Sequence, residues 1–225
     1  MSGIMHISSR KIGGNAPPYV IAEIGVNHDG EISRAEELVH GASIAGADAV
    51  KFQWFRANDL VVHGADAAGY QKAGGASDQR LMLQGLELDS SDMARVCEQA
   101  HSLGMHAIVT VFCESLVSEA RAVDWDAWKV ASPDLVHRPL LESLKADGRP
   151  IILSTGASSL QEVRRAHAWL IDSETCFLQC VSAYPAKESE ASLAGIDVLA
   201  GETGRPCGYS DHTTEESTGG LAVAA

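Results

Sequence analysis

The chain has 225 residues, 45% of them hydrophobic and 21% charged, with a formal net charge of −13. That composition builds one sizeable globular core, and its acidity excludes a general binder of nucleic acid or of an anionic membrane surface. No apolar run is long enough to span a bilayer, residues 1–18 carry no signal-peptide core, and Cys97, Cys113, Cys176, Cys180 and Cys207 show no zinc-type pairing, so they read as reduced packing residues of a cytoplasmic protein.

In chain order, short apolar runs at 19–25, 46–53, 105–112, 127–132, 149–155, 175–181 and 205–210 are predicted strands. Between them, apolar residues recur at helical spacing over 33–45, 90–103, 114–123, 138–147, 159–171 and 192–202. Ser33 reads as a capping-box start, and Gly46, Gly104 and Gly148 as helix exits. Strand then helix, seven times over, predicts an α/β fold with a parallel sheet and crossover helices, a TIM (β/α)₈ barrel without its eighth strand. A closed barrel takes about 250 residues. The terminal STGGLAVAA reads as the start of a seventh helix, so the chain is expected to be part of a longer polypeptide. Residues 1–225 show no composition break between domains. The irregular stretch 57–89, with Tyr70, Gln71 and Lys72, is expected to form a lid or substrate wall.

In such a barrel the chemistry sits at the C-terminal ends of the strands. The first strand there carries Glu23, Asn27 and His28, and the second Lys51 and Gln53. Thr110 follows on the third, Lys129, Ser132 and Asp134 on the fourth, and Ser154 and Thr155 on the fifth. The sixth ends in Gln179, Ser182 and Tyr184, and the seventh in Ser210, Asp211 and His212. A carboxylate such as Glu23 inside an apolar strand is costly unless it is paired or used. Two lysines in buried strands suit a phosphate or carboxylate, with the hydroxyls completing an anion cradle. A Schiff-base role for one of them is the competing chemistry. His28 is a candidate substrate contact, and His212, beside Ser210 and Asp211, a candidate metal ligand.

The ordered set IAEIGVNHDG, GADAVKFQ, WKVASPD, ILSTGAS, QCVSAYP and GYSDHT resembles the N-acetylneuraminate (sialic acid) synthase family, which includes the legionaminic and pseudaminic acid synthases, over residues 17–215. The resemblance implies a TIM barrel followed by a small antifreeze-like domain, which is absent from these 225 residues. It implies condensation of phosphoenolpyruvate with an N-acetylmannosamine-type amino sugar to a nonulosonic acid, with a divalent Mn²⁺ or Mg²⁺ ion, in a homodimer. By matching motif, Lys51, Thr110, Lys129, Ser132, Ser154 and Ser210 fall in the phosphoenolpyruvate-binding set, and Glu23 is the active-site carboxylate. His212 resembles one of two metal histidines, the other lying on the missing eighth strand. Tyr184 and Asp134 fall at sugar-side positions, where Asn27, His28 and Gln53 join them. The chain departs from the family in reading YPAKESE for YPTPPED, and in having Asp134 where Glu is usual. The rival readings are a Schiff-base aldolase on Lys51 or Lys129 and a non-catalytic phosphate or sugar-acid binder.

Overall fold

A computed structural model of the chain describes residues 3–62 and 78–214. Tyr70, Gln71 and Lys72 of the expected lid, and the expected helix start at 217–225, lie outside the described residues. Two compact units are present, one of residues 19–126 and one of residues 1–18 with 127–225.

The chain opens on an antiparallel hairpin that the sequence reading did not assign, β1 (Ile4–Ile7) and β2 (Arg10–Gly13), paired from Ile4–Gly13 to Ile7–Arg10. Strict alternation buries Met5 and Ile7 and exposes Ile4 and His6. Its turn is Ser8-Ser9, with Ser8 at φ +50°, and lacks the Asn-Gly or Asp-Gly signal that marks such turns in a sequence. The hairpin lies against Gly204 to Pro206, and the His6 amide donates to Glu174.

In residues 19–126, β3 (Ile21–Gly25), α1 (Ile32–Ile44) and β4 (Ala49–Trp54) are followed by the short α2 (Ala57–Leu60) and α3 (Gln79–Gln84), then α4 (Ser90–Ser102), β5 (His106–Val111) and α5 (Glu114–Ala120). The strands pair in parallel, β3 with β4 and β4 with β5. The period of two then sorts the side chains. Val50, Phe52 and Trp54 pack in the core, and Trp54, which follows the strand-mouth Gln53, is therefore a packing residue. Lys51 and Gln53 point to the other face, where Thr110 stands opposite Gln53. Helix α1 begins at the cap residue Glu31 without a side-chain cap, so Ser33 lies inside the helix and does not cap it. Helix α4 is capped by Asp89, which accepts from the amides of Ser91 and Asp92 at 2.8 and 2.9 Å.

In the second unit, β6 (Ala127–Val130) leads through a 3₁₀ turn (Ser132–Val136) to α6 (Arg138–Asp147). Then come β7 (Ile151–Ser154), α7 (Leu160–Trp169), β8 (Thr175–Cys180), α8 (Gly195–Thr203) and β9 (Cys207–Ser210). All four strands run parallel in that order. Their register places Lys129, Ser154, Leu178, Cys180 and Ser210 on one face and Trp128, Phe177, Gln179 and Tyr209 on the other. Gln179 therefore turns toward α8, where its amide donates to the Ala191 carbonyl at 3.2 Å. Trp128 is fully buried and donates to Asp147 at 2.9 Å, with Arg149 over its ring at 5.3 Å. The predicted helix exits hold: Gly46, Gly104 and Gly148 take φ of +82°, +78° and +85°. The five cysteines are free thiols. Among the described residues no helix is long and apolar enough to cross a membrane.

Candidate active site

The first cluster grows from the β3–β4–β5 register, which sets Glu23 opposite Lys51 and Gln53 opposite Thr110. Lys51 Nζ lies 2.7 Å from Glu23 Oε2 and donates to Thr110 Oγ1 at 3.2 Å. The expected cost of burial falls on the other partner than the one expected. The Lys51 side chain is only 8% exposed, whereas that of Glu23 is 51% exposed. The carboxylate and the hydroxyl thus compensate a buried ammonium, and the carboxylate remains open to a ligand.

A β-bulge between Glu23 and Gly25 produces this geometry. Gly25 has φ +52°, and a Cβ there would sit 2.8 Å from Glu23 Oε1. Gly25→Ala is therefore expected to displace the carboxylate and to cost about 1–2 kcal/mol of left-handed backbone strain. Steady-state kinetics with a thermal melt checks it, and full kcat in the variant would refute the role of the bulge. Asn27 is exposed and Gln53 half-buried, both open to a ligand.

His28 differs from the substrate contact expected of it: its ring is fully buried. It stacks beside Phe52 with centroids 6.3 Å apart, and Nδ1 accepts from the Gly30 amide at 3.1 Å. Burial pushes its pKa below the ordinary 6.5, against the smaller raising effects of the Gly25 carbonyl and Asp29. A histidine held neutral in the fold contributes stability that is complete above its unfolded pKa. That stability is lost as the pH falls from about 6.5 through the depressed value. His167, depressed by burial as well, adds to the same trend. Melting temperature is expected to fall below about pH 6.5, and less steeply in His28→Gln. An equal slope in that variant would refute the assignment.

The second cluster lies on the other unit. Lys129, 6% exposed, donates to Ser154 Oγ at 2.5 Å and to the Val130 carbonyl at 2.8 Å. Ser132 opens the 3₁₀ turn after β6, accepts from the Gly156 amide at 3.1 Å and donates to Cys180 Sγ at 3.5 Å. Cys180 Sγ lies 3.7 Å from His212 Nδ1. His212 Nδ1 is 2.6 Å from the Val181 carbonyl and so carries the proton it donates there. Its Nε2 accepts from the exposed Tyr184 hydroxyl at 3.3 Å, the two rings 4.2 Å apart. Ser210 stands opposite Cys180, half-buried.

Three groups here have shifted protonation. Burial disfavours the charged His212 ring, but its contacts with Cys180 and the Val181 carbonyl outweigh that and raise its pKa. Burial likewise opposes the Cys180 thiolate, yet His212, Ser132 and the Lys129 charge bring its pKa down. Burial raises the Asp134 carboxyl, with His137 opposing. Cys180 entered the sequence reading only as a packing residue. Its place opposite Ser210 depends on the β8–β9 register, which no local pattern reports. Cys176, on the same face, is buried and pushed up to about 12.

Gly156 keeps the second cluster open. A Cβ there would lie 2.6 Å from Ser182 Oγ, 3.0 Å from Ser132 Oγ and 3.1 Å from the Cys180 carbonyl. Gly156→Ala is expected to push Ser132 off its Gly156 and Cys180 partners and to cost about 1–3 kcal/mol of stability. A thermal melt measures it, and an unchanged Tm would refute it.

His212 is the residue here that could hold a divalent ion: its Nδ1 is committed to the Val181 carbonyl, and its Nε2 would exchange the Tyr184 hydroxyl for the metal. Among the described residues no group of three His, Cys, Asp or Glu side chains is placed to hold a metal.

Residues 38–225 match the NeuB family. The chain belongs to the NeuB family. This NeuB-family chain is 38% identical over 221 residues to the N,N'-diacetyllegionaminic acid synthase of Legionella pneumophila, an alignment covering 92% of the chain and 62% of that protein. The chain thus spans about three-fifths of the length of the curated relatives it matches. In three dimensions it aligns over 100% of its length, and 75% of the other, with the N-acetylneuraminic acid (sialic acid) synthetase of Leptospira borgpetersenii in complex with citrate, at a TM-score of 0.89 and 29% identity. A truncated 3-deoxy-D-arabino-heptulosonate 7-phosphate synthase from Thermotoga maritima shares the fold alone, with a TM-score of 0.67 at 12% identity over 94% of the chain and 71% of that protein. The fold of the NeuB-family chain is accordingly the α/β TIM barrel that its strand–helix repeat predicted.

Proposed function

We propose that the chain carries the catalytic residues of a synthase that condenses phosphoenolpyruvate with an N-acetylmannosamine-type sugar, giving a nonulosonic acid and inorganic phosphate. The observation that carries this reading is a pair of nearly buried lysines, each within a barrel strand and each bound to a hydroxyl: Lys51 to Thr110 and Lys129 to Ser154. Ammonium groups with hydroxyl partners are suited to a phosphorylated carboxylate. The relatives' names support the product class.

In this reading Lys51, Thr110, Lys129, Ser132, Ser154 and Ser210 bind phosphoenolpyruvate. The enol carbon attacks the sugar aldehyde to form the new carbon–carbon bond, and Asn27, Gln53, Asp134 and Tyr184 orient the sugar. The aldehyde oxygen takes up a proton, water adds to the resulting oxocarbenium carbon, Glu23 accepts the proton of that water, and phosphate leaves with cleavage of the carbon–oxygen bond. When bound, Mn²⁺ or Mg²⁺ supplies Lewis-acid polarisation of the aldehyde, and His212 is the residue here that would hold it. An imine at Lys129 would give up N–H donors that Ser154 and Val130 accept, which disfavours the aldolase reading. The assembly proposed is a cytoplasmic homodimer.

The test is phosphate release from phosphoenolpyruvate with Mn²⁺ and N-acetylmannosamine, its 6-phosphate or a diacetamido sugar, using the natural polypeptide with any residues beyond Ala225. Turnover with one sugar is expected, with no trapping by borohydride. Phosphoenolpyruvate binding without turnover on any sugar would favour a binder, and trapping would favour the aldolase.

A further inference from the structure

We infer that His28 is a positioning residue for the Glu23 carboxylate. It is a fully buried imidazole that braces the turn after β3, the turn that follows the bulge on which Glu23 stands. The inference rests on the assignment of Glu23 as the base.

The turn is tied by its own backbone: Asn27 N–H donates to the Ile24 carbonyl at 2.9 Å, Asp29 to Val26 at 3.1 Å and Glu31 to His28 at 2.9 Å. The first of those bonds closes a turn over Gly25 and Val26. The His28 ring adds a side-chain tie. Nδ1 accepts from the Gly30 amide, so the proton of the neutral ring sits on Nε2. Nε2 is buried and has no hydrogen-bond partner among the described residues, and the Gly25 carbonyl faces the ring. A buried donor of this kind is retained against its desolvation cost, which calls for a use. The ring also packs on Phe52, the β4 residue next to Lys51. One side chain thus ties the Gly30 end of the turn after β3 to Phe52 on the strand bearing Glu23's ion-pair partner. Gly30 adds rigidity, since any Cβ there would run into the Gly85 carbonyl. The charges that reach the ring are those of Asp29, on the turn, and Arg34, on α1.

The test is a double-mutant cycle with His28→Phe and Glu23→Gln, with His28→Gln as the conservative variant. Phe keeps the stacking and removes both nitrogens; Gln can still accept and donate. If His28 acts through Glu23, His28→Phe lowers kcat about 10²-fold, the scale expected of misplacement by about 1 Å. The KM for phosphoenolpyruvate stays within about twofold, a split expected when only transition-state interactions are lost. His28→Gln recovers most of the rate, and in the Glu23→Gln background His28→Phe has almost no further effect. An equal fold-loss in both backgrounds, or full kcat in His28→Phe, overturns the inference. Should His28→Phe fail to fold, His28→Gln decides: a folded Gln variant as impaired as Glu23→Gln overturns it, and one near full rate supports it. Nitrogen-15 NMR of the ring needs no activity and separates this inference from the proposed function. A neutral Nε2–H tautomer from pH 8 to about pH 6 is expected, and protonation at or above the ordinary value of about 6.5 overturns it.

Discussion

Lys129→Met is expected to raise the KM or Kd for phosphoenolpyruvate about 10²-fold or more while leaving the fold nearly as stable as before. The ammonium is 6% exposed and holds two acceptors, Ser154 Oγ and the Val130 carbonyl. A cation in that position contributes little to net stability, because its desolvation offsets what its hydrogen bonds return. Methionine has a similar shape, and the Ser154 hydroxyl can reorient, while the Val130 carbonyl loses a donor. The net change should lie within about 1–2 kcal/mol, which for a chain of this size is a Tm shift of a few degrees. A ligand with a phosphate and a carboxylate loses a charge-assisted contact that no neighbouring hydroxyl can replace. Titration of phosphoenolpyruvate beside a thermal melt reads both quantities. A large loss of Tm with unchanged affinity would make Lys129 a structural residue and remove the central support for the proposed reaction.

Glu23→Gln is expected to lower kcat by about 10²–10⁴, the range for loss of a positioned general base. Stability is expected to fall by about 1–3 kcal/mol, because the neutral amide compensates the buried Lys51 ammonium less well than the carboxylate does. The amide oxygen of Gln can still accept from Lys51 Nζ, so substrate affinity should change far less than turnover. The outcome to look for is a KM within a few-fold of normal beside a collapsed kcat. If turnover is retained with metal present, another group takes the proton from water and the role assigned here is wrong. The two substitutions thus separate binding from chemistry, one in each cluster.

The strand–helix alternation, the helix exits at Gly46, Gly104 and Gly148, and the residues at the strand ends were all legible in the chain. Each depends on local periodicity or on one residue's backbone freedom. The hairpin at 4–13 was not legible, because its Ser-Ser turn carries no hairpin signature. Ser33 looked like a cap, yet the helix starts one residue before it, and the reciprocal capping box is instead Ser159 with Glu162. For a polar residue near a predicted start, the cap position depends on where the preceding turn delivers the chain.

Periodicity by itself determined the strand–helix order of an α/β barrel and the polar residues that follow its strands, and the ordered motifs resembled the sialic acid synthase family. Those properties follow from side-chain chemistry and from the two repeat periods of helix and strand. Only the tertiary structure decided which of those groups are buried and which meet. The β3–β4 register set Glu23 beside Lys51 and left the acid open and the amine covered. The turn that follows the register shift at Gly25 places His28 in the interior. The β8–β9 register brought Cys180 against His212. Pairing between strands far apart in sequence is a long-range property, and a shift of one residue reverses the face of every side chain, so no local pattern in the sequence could report it.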